Sequence, residues 1–218
     1  MQIRRVHLTS PANPLRGITA DAAYISAVFA QIEGPVLAVG HSYGGAVITN
    51  AATDAKNVVG LVYVAAFAPD EGETLGAAEA GSKDSVLNSA LVARQYPTAG
   101  GGSATEFYID PEKVTEAFAG DLSDQQAALI GATQRPVAES AFTEPNGPPA
   151  WKHLPSWAVV ATGDKAAGAD LVRSMAERAG AKITEIDGSH VIMVSQPETV
   201  TNVILDAVAA VTEVPVGA

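Results

Sequence analysis

Short continuous apolar runs alternate along the chain with stretches in which apolar positions recur every three or four residues. That alternation predicts a parallel sheet joined by crossover helices. IRRVHLT, residues 3 to 9, reads as a first strand. Between 19 and 33 the residues Tyr24, Ile25, Val28, Phe29 and Ile32 fall at helical spacing, and Gly34 offers a left-handed stop, so a helix is expected there. PVLAVG (35 to 40) is apolar and β-branched enough for a buried strand, and the small apolar run GGAVITNAA behind it suits a helix packed on a sheet. VVGLVYVAAF (58 to 67) is the next strand.

The pattern breaks from about residue 69 to 155, where Gly, Ser, Pro and acidic residues dominate. Two helix starts stand out within it, Asp110 with Pro111 and Ser123 with Gln126. This stretch reads as a helical cap inserted over the sheet of one domain spanning 1–218. Alternation then resumes with a strand at 156–162, a helix near 168–179 stopped by Gly180, and a strand at 181–186. A last helix opens with Ser195 and Glu198 at capping-box spacing and carries Val200, Val203, Ile204, Ala207 and Val208 on one face.

Composition narrows the function classes. The 218 residues are 47% hydrophobic and 17% charged, as in an ordinary globular domain. A formal charge of −11 would repel phosphate backbones and anionic lipid, which argues against nucleic-acid or membrane partners. With no cysteine there can be neither disulfide nor thiolate metal site. MQIRRVHLTS lacks the apolar core of a signal peptide, and no stretch approaches the roughly 20 apolar residues of a membrane span, so the cytoplasm is the default expectation.

Chemistry enters at VGHSYGGAV, residues 39 to 47. Gly40-His41-Ser42-Tyr43-Gly44 lies where a predicted strand becomes a predicted helix. In that context the serine of a G-x-S-x-G segment sits on a sharp, strained turn with its hydroxyl exposed, and flanking glycines let strand and helix approach. The plainer alternative is a Gly-rich turn with Ser42 as a helix cap. A serine hydroxyl is a weak nucleophile, so the first reading requires a base and a group to orient it. Of the four histidines only His190 follows a strand on the carboxyl edge that holds Ser42; His7 lies in a strand, His41 in the turn itself and His153 in a Pro-rich approach. The acid is expected between Ser42 and His190 at a strand end, which favours Asp164, with Asp170 and Asp187 as alternatives.

With Ser42, Asp164 and His190 in that order, the chain resembles the α/β-hydrolases. GPVLAVGHSYGGAVI, VVGLVYVAAFAPDEGE, PSWAVVATGDK and GSHVIMVSQPETV are similar to bacterial esterase-like members related to the plant methylesterase and hydroxynitrile lyase branch. The resemblance implies a mostly parallel sheet with helices on both faces, a Ser-His-Asp mechanism without cofactor or metal, a small-molecule ester substrate, and the Tyr43 amide as one donor of an oxyanion hole. It also implies first strands and a His-Gly loop giving a second donor. Only 41 residues precede Ser42 and their turn is TSPANPLRG, so the chain is expected to be N-terminally shortened. The strand 3–9 would then move beside the elbow strand and bring the loop Thr9–Asn13 into the missing loop's place. Failing that, a partner chain would cover the bare edge, a homodimer being one such arrangement. A third reading makes Met1 an internal methionine of a longer gene.

The expected activity is carboxylester hydrolysis on small apolar substrates. The aromatic candidates for an acyl pocket are Phe67, Tyr96, Phe107, Tyr108 and Phe118, with Trp151 and Trp157 near the end of the cap. A non-catalytic, ligand-binding pseudo-hydrolase is the alternative suggested by the missing loop. A cofactor-free perhydrolase or haloperoxidase-type activity would use the same three residues. Hydroxynitrile lyases usually carry a lysine directly after the histidine, where this chain has Val191.

Overall fold

The computed structural model describes residues 6–213, and its elements follow the expected alternation around a sheet. They run α1 (Ile18–Phe29), β1 (Val36–Ser42), α2 (Tyr43–Ala51) and β2 (Val58–Ala66). The chain then leaves the main sheet for α3 (Leu75–Ala80), α4 (Leu87–Ala90), β3 (Leu91–Pro97), β4 (Ser103–Ile109), α5 (Val114–Ala117), α6 (Asp124–Thr133), β5 (Val137–Ala138) and α7 (Ser140–Thr143). It returns through β6 (Ser156–Ala161), α8 (Ala169–Arg178), β7 (Lys182–Ile186), α9 (Ile192–Ser195) and α10 (Pro197–Glu213).

β1, β2, β6 and β7 form a parallel sheet in that spatial order. Its two central strands are buried on both faces, and their residues divide by parity as strand geometry requires. Leu61, Tyr63, Ala158 and Val160 face a core built with α1, α2 and α8, including Phe29, Val47 and Met175. Val62, Val64, Trp157 and Val159 face a second core built with α9 and α10, including Ile192, Val200 and Val203. Burying each such Val or Ile side chain contributes roughly 1.5–3 kcal/mol, so the helices are held mainly by these two apolar layers. No helix among the described residues is long and apolar enough to cross a membrane.

Four expectations are corrected. The first strand is not formed over its described part: Val6–Thr9 has no regular structure, with Val6 50% and Leu8 91% exposed, while residues 3–5 lie outside the described residues. An alternating pattern becomes a strand only where an edge receives it, and these residues pair with none, so the loop Thr9–Asn13 is not carried to the elbow in the way expected. Among the described residues β1 is consequently an edge strand, and Val39 in its middle is 44% exposed. The helix 19–33 ends early: α1 closes at Phe29, the chain tightens through i→i−3 bonds from Gln31 and Ile32, and Tyr24 points outward. The last helix starts at Pro197, where a missing N–H costs nothing, and the Ser195 hydroxyl bonds back to the Ile192 carbonyl at 3.4 Å instead of capping it.

The inserted segment also differs from a purely helical cap. β3, β4 and β5 make a three-stranded antiparallel sheet, and the turn after Asp110 yields only the short α5. α6 does open as expected, with a full capping box between Ser123 and Gln126. The inserted segment is pinned to the N-terminal loop. Ala138 N–H donates to Leu15 O at 2.9 Å, and Arg16 Nη1 pairs with the buried Glu106 at 2.9 Å.

Candidate active site

Ser42 ends β1 with φ 54° and ψ −126°, a backbone conformation that non-glycine residues seldom adopt. The β1–β2 ladder shifts register between His41 and Ser42, and Phe67 N–H donates to Ser42 O at 3.2 Å, which fixes the turn from the neighbouring strand. Ser42 makes no side-chain hydrogen bond into α2, so it does not serve as a helix cap. The glycines divide unequally. A Cβ on Gly40 would lie 2.5 Å from Gly44 O, and one on Gly45 would lie 2.5 Å from Phe67 O. Gly44, the second glycine of the motif, has nothing within 4 Å of that position. Close approach of helix and sheet is therefore set by Gly40 and Gly45.

Asp164 follows β6 and His190 follows β7, and the structure joins them: His190 Nδ1 lies 2.8 Å from Asp164 Oδ2, with both side chains 1% exposed. Asp164 Oδ1 accepts the amides of Ala166 and Ala167 at 2.9 and 3.0 Å. Burial raises its pKa. The charge and hydrogen bond of His190, together with the two amides, outweigh that and hold the carboxyl below its ordinary value. An ionised carboxylate only accepts, so Nδ1 of His190 carries a proton, and in the neutral ring Nε2 then keeps its lone pair. The two loops are also joined through backbone, Gly163 N–H donating to Gly188 O at 2.9 Å.

The alternatives for base and acid are engaged elsewhere. Asp170 accepts from the Ser82 hydroxyl at 2.5 Å and the Lys83 amide at 2.8 Å, tying α8 to the cap. Asp187 meets the Thr162 hydroxyl at 3.4 Å. His7 and His153 are exposed. Among the described residues the Ser42 hydroxyl has no hydrogen-bond partner, and no group of three or more His, Asp or Glu stands as a metal site.

One neighbour of His190, His41, was given no role by the sequence reading. His41 Nε2 lies 2.9 Å from the His190 carbonyl oxygen, and the two rings stand 4.6 Å apart. Phe118, from the cap, meets the His190 ring edge-on, with centroids 4.8 Å apart. The cap reaches the same loop again where the Ser189 hydroxyl donates to Asp121. Of the aromatic residues proposed for a pocket, Phe118 lays its ring on His190, and Phe67 meets Ser42 through its backbone. Phe67 and Trp157 are core, Trp151 donates to Pro69 O at 3.0 Å, Tyr96 lies under Arg16, Phe107 packs on Phe142, and Tyr108 points toward Glu106.

Tyr43 opens α2, so its amide is among the helix N–H groups that have no intrahelical acceptor. Its side chain turns away and donates to the fully buried Asp21 at 2.9 Å; burial, then the Asp21 charge, raises the phenol far above its ordinary value. Asp21 also accepts the Arg16 amide at 3.0 and 3.1 Å, which anchors the residue after the serine to the N-terminal loop.

A family model described as "Alpha/beta hydrolase family" matches residues 6–203. Polyneuridine aldehyde esterase superposes with a TM-score of 0.72 at 20% identity, over 89% of this chain and 81% of that one. A methylesterase from Arabidopsis gives 0.71 at 17% identity, over 90% and 80%. A pyrethroid hydrolase from Sphingobium faniae gives 0.69 at 21%, over 91% and 80%. At these identities the likeness is one of fold. No curated protein sequence matches the chain.

Proposed function

Because the chain belongs to the alpha/beta hydrolase family, we propose that it is a carboxylesterase acting on small apolar esters through an acyl-serine intermediate. The observation that carries this reading is the buried His190–Asp164 pair at 2.8 Å, on a loop bonded to the residue before Ser42. Ser42 is the nucleophile. His190 Nε2 takes its proton as Oγ attacks the ester carbonyl, and Asp164 holds the tautomer and stabilises the imidazolium that forms. The alkoxide leaves with the proton from His190, and a water activated by the same imidazole releases the acid. The Tyr43 amide is one donor for the oxyanion. One donor fewer in such a hole costs on the order of 10²- to 10³-fold in turnover, so slow hydrolysis is expected unless a second donor is supplied. The names of the structural neighbours, esterases and a hydrolase of pyrethroids, agree with an ester as substrate.

The open edge of β1 favours one second reading, a pseudo-hydrolase that binds a ligand without turnover, because the strand that would bring a second donor beside the elbow is missing among the described residues. A fluorophosphonate probe separates the two. Stoichiometric labelling of the wild type but not of Ser42→Ala, with turnover of a p-nitrophenyl ester, supports the esterase. Binding of the ester without labelling supports the pseudo-hydrolase. Turnover of halide by peroxide would instead point to perhydrolase or haloperoxidase chemistry on the same residues.

A further inference from the structure

We propose that His41 is a positioning residue for His190, its Nε2–H donating to the His190 carbonyl oxygen and its ring packing beside the His190 ring, so that the base is held against the serine elbow. The inference rests on the reading of His190 as the base.

The need for such a tie follows from the sheet order. Ser42 ends β1 and His190 follows β7, and these strands are the two opposite edges of a four-stranded sheet. With strands about 4.8 Å apart, the loop after β7 has to reach across roughly 14 Å to serve the end of β1. Asp164, at the end of β6, holds the imidazole only partway along that span. His41 supplies the far anchor. It is the residue immediately before Ser42, and its 2.9 Å bond is made to the backbone of His190 itself. The carbonyl oxygen only accepts, so His41 is the donor and carries its proton on Nε2.

His41 is also suited to the position electrically. Burial first, and then the neighbouring His190, push its pKa down to about 3, against smaller raising effects of the His190 carbonyl and Asp164. A neutral ring 4.6 Å from the base adds no positive charge to oppose the imidazolium, whereas a lysine or arginine there would. The other groups packed on His190 are Asp164 on Nδ1 and the uncharged Phe118, and Asp121 reaches the loop through Ser189.

Two variants divide the role. His41→Phe keeps a ring and removes the donor, and His41→Gln keeps an amide donor and removes the ring. Expected for His41→Phe is a 10- to 100-fold fall in kcat with KM within about twofold, the scale of a misplaced catalytic group. The acidic limb of its pH–rate profile should move, and amide exchange in residues 187–191 should quicken at least tenfold. His41→Gln should recover most of the lost rate. Unchanged exchange, kcat and pH limb in His41→Phe overturn the inference. So does a loss of rate that His41→Gln does not restore. Amide exchange needs no turnover, so a wild type that resists fluorophosphonate sinks the esterase reading alone and leaves the His41 tie to be decided by exchange in the two variants.

Discussion

His190 Nδ1 and Asp164 Oδ2 stand 2.8 Å apart at the ends of two different strands, each side chain 1% exposed. Asp164→Asn keeps the shape but presents an amide that can donate toward Nδ1, which forces the proton to Nε2 and removes the lone pair that would accept from Ser42. Loss of kcat on the order of 10⁴ is expected, since the wrong tautomer has about that effect in hydrolases of this type. Hydrolysis of a p-nitrophenyl ester checks it, with far-UV circular dichroism as the control for folding. A fall of less than tenfold would show that Asp164 does not set the tautomer.

Ser42 occupies a backbone conformation at φ 54°, and such conformations cost on the order of 1–3 kcal/mol. Ser42→Gly should relieve that strain whereas Ser42→Ala should not, and both lack the hydroxyl. Glycine also loses more entropy on folding, by roughly 0.4–1 kcal/mol. The net expectation is that Ser42→Gly melts a few degrees above Ser42→Ala, at about 2–4 °C per kcal/mol for a chain of this size. Calorimetry on the two variants decides; equal melting temperatures would place no strain at the turn.

Two adjacent glycines, the last of the motif and the one after it, give an opposed pair of outcomes. Gly44→Ala adds a methyl to open space in α2, and alanine is better than glycine in a helix by roughly 1 kcal/mol, so stability should hold or rise. Gly45→Ala, one residue on, drives a methyl to 2.5 Å from Phe67 O and 2.8 Å from Ala66 Cβ, which only a shift of α2 off the sheet relieves. It should lower the denaturation midpoint by several tenths molar or more, since overpacking typically costs about 1–3 kcal/mol. Parallel urea titrations of the two variants make the comparison.

How much of this was legible in the sequence follows from where the information lies. Gly180, at φ 62°, stops α8 where expected, and Ser123 with Gln126 caps α6, because both signals act within a few residues. The pairing of Asp164 with His190 was open to a sequence reading because each follows a predicted strand, and chain order then limits the choices. His41 was not. Its partner is the carbonyl of a residue 149 positions away, and a backbone acceptor leaves no trace in side-chain identity. Val6 to Thr9 has the alternation of a strand, but a strand needs a neighbour, and the sheet order that denies it one cannot be read from its own residues. Likewise Gly45 was overlooked for Gly44, since spacing alone does not tell which glycine faces the Phe67 carbonyl.

β1 leaves a seven-residue, uncharged strand as the outer edge of the sheet among the described residues, with Val39 44% exposed. Natural sheets blunt such edges with lysine, proline or bulges; this one has neither lysine nor proline between Val36 and Gly40, and its ladder with β2 shifts register only at its two ends, between Val36 and Leu37 and between His41 and Ser42. Val39→Lys should suppress heat-induced light scattering at high protein concentration while leaving the melting temperature of dilute protein within a few degrees. Scattering that does not change would mean that self-association starts elsewhere.

Acid should weaken the fold from two groups with the same sign. His41 is held near 3 in the folded chain against 6.5 when unfolded, so below pH 6.5 the unfolded chain binds a proton that the folded chain does not. The stability this reflects is complete above pH 6.5 and is lost progressively as the pH falls toward 3. Asp164, held below its ordinary 3.8, adds stability that is present above that value and is lost as the pH falls through the folded one. His41 acts in the window between pH 6.5 and 4.5, and one proton corresponds to a slope of at most about 1.4 kcal/mol per pH unit, less for a side chain that is not fully enclosed. Denaturant unfolding at pH 7.5, 6 and 5 should therefore show falling stability in the wild type and a flatter profile in His41→Gln, whose unfolded state has no imidazole to protonate at 41. A slope equal in both proteins would assign the acid sensitivity to other groups and remove the claim that His41 is kept neutral by the fold.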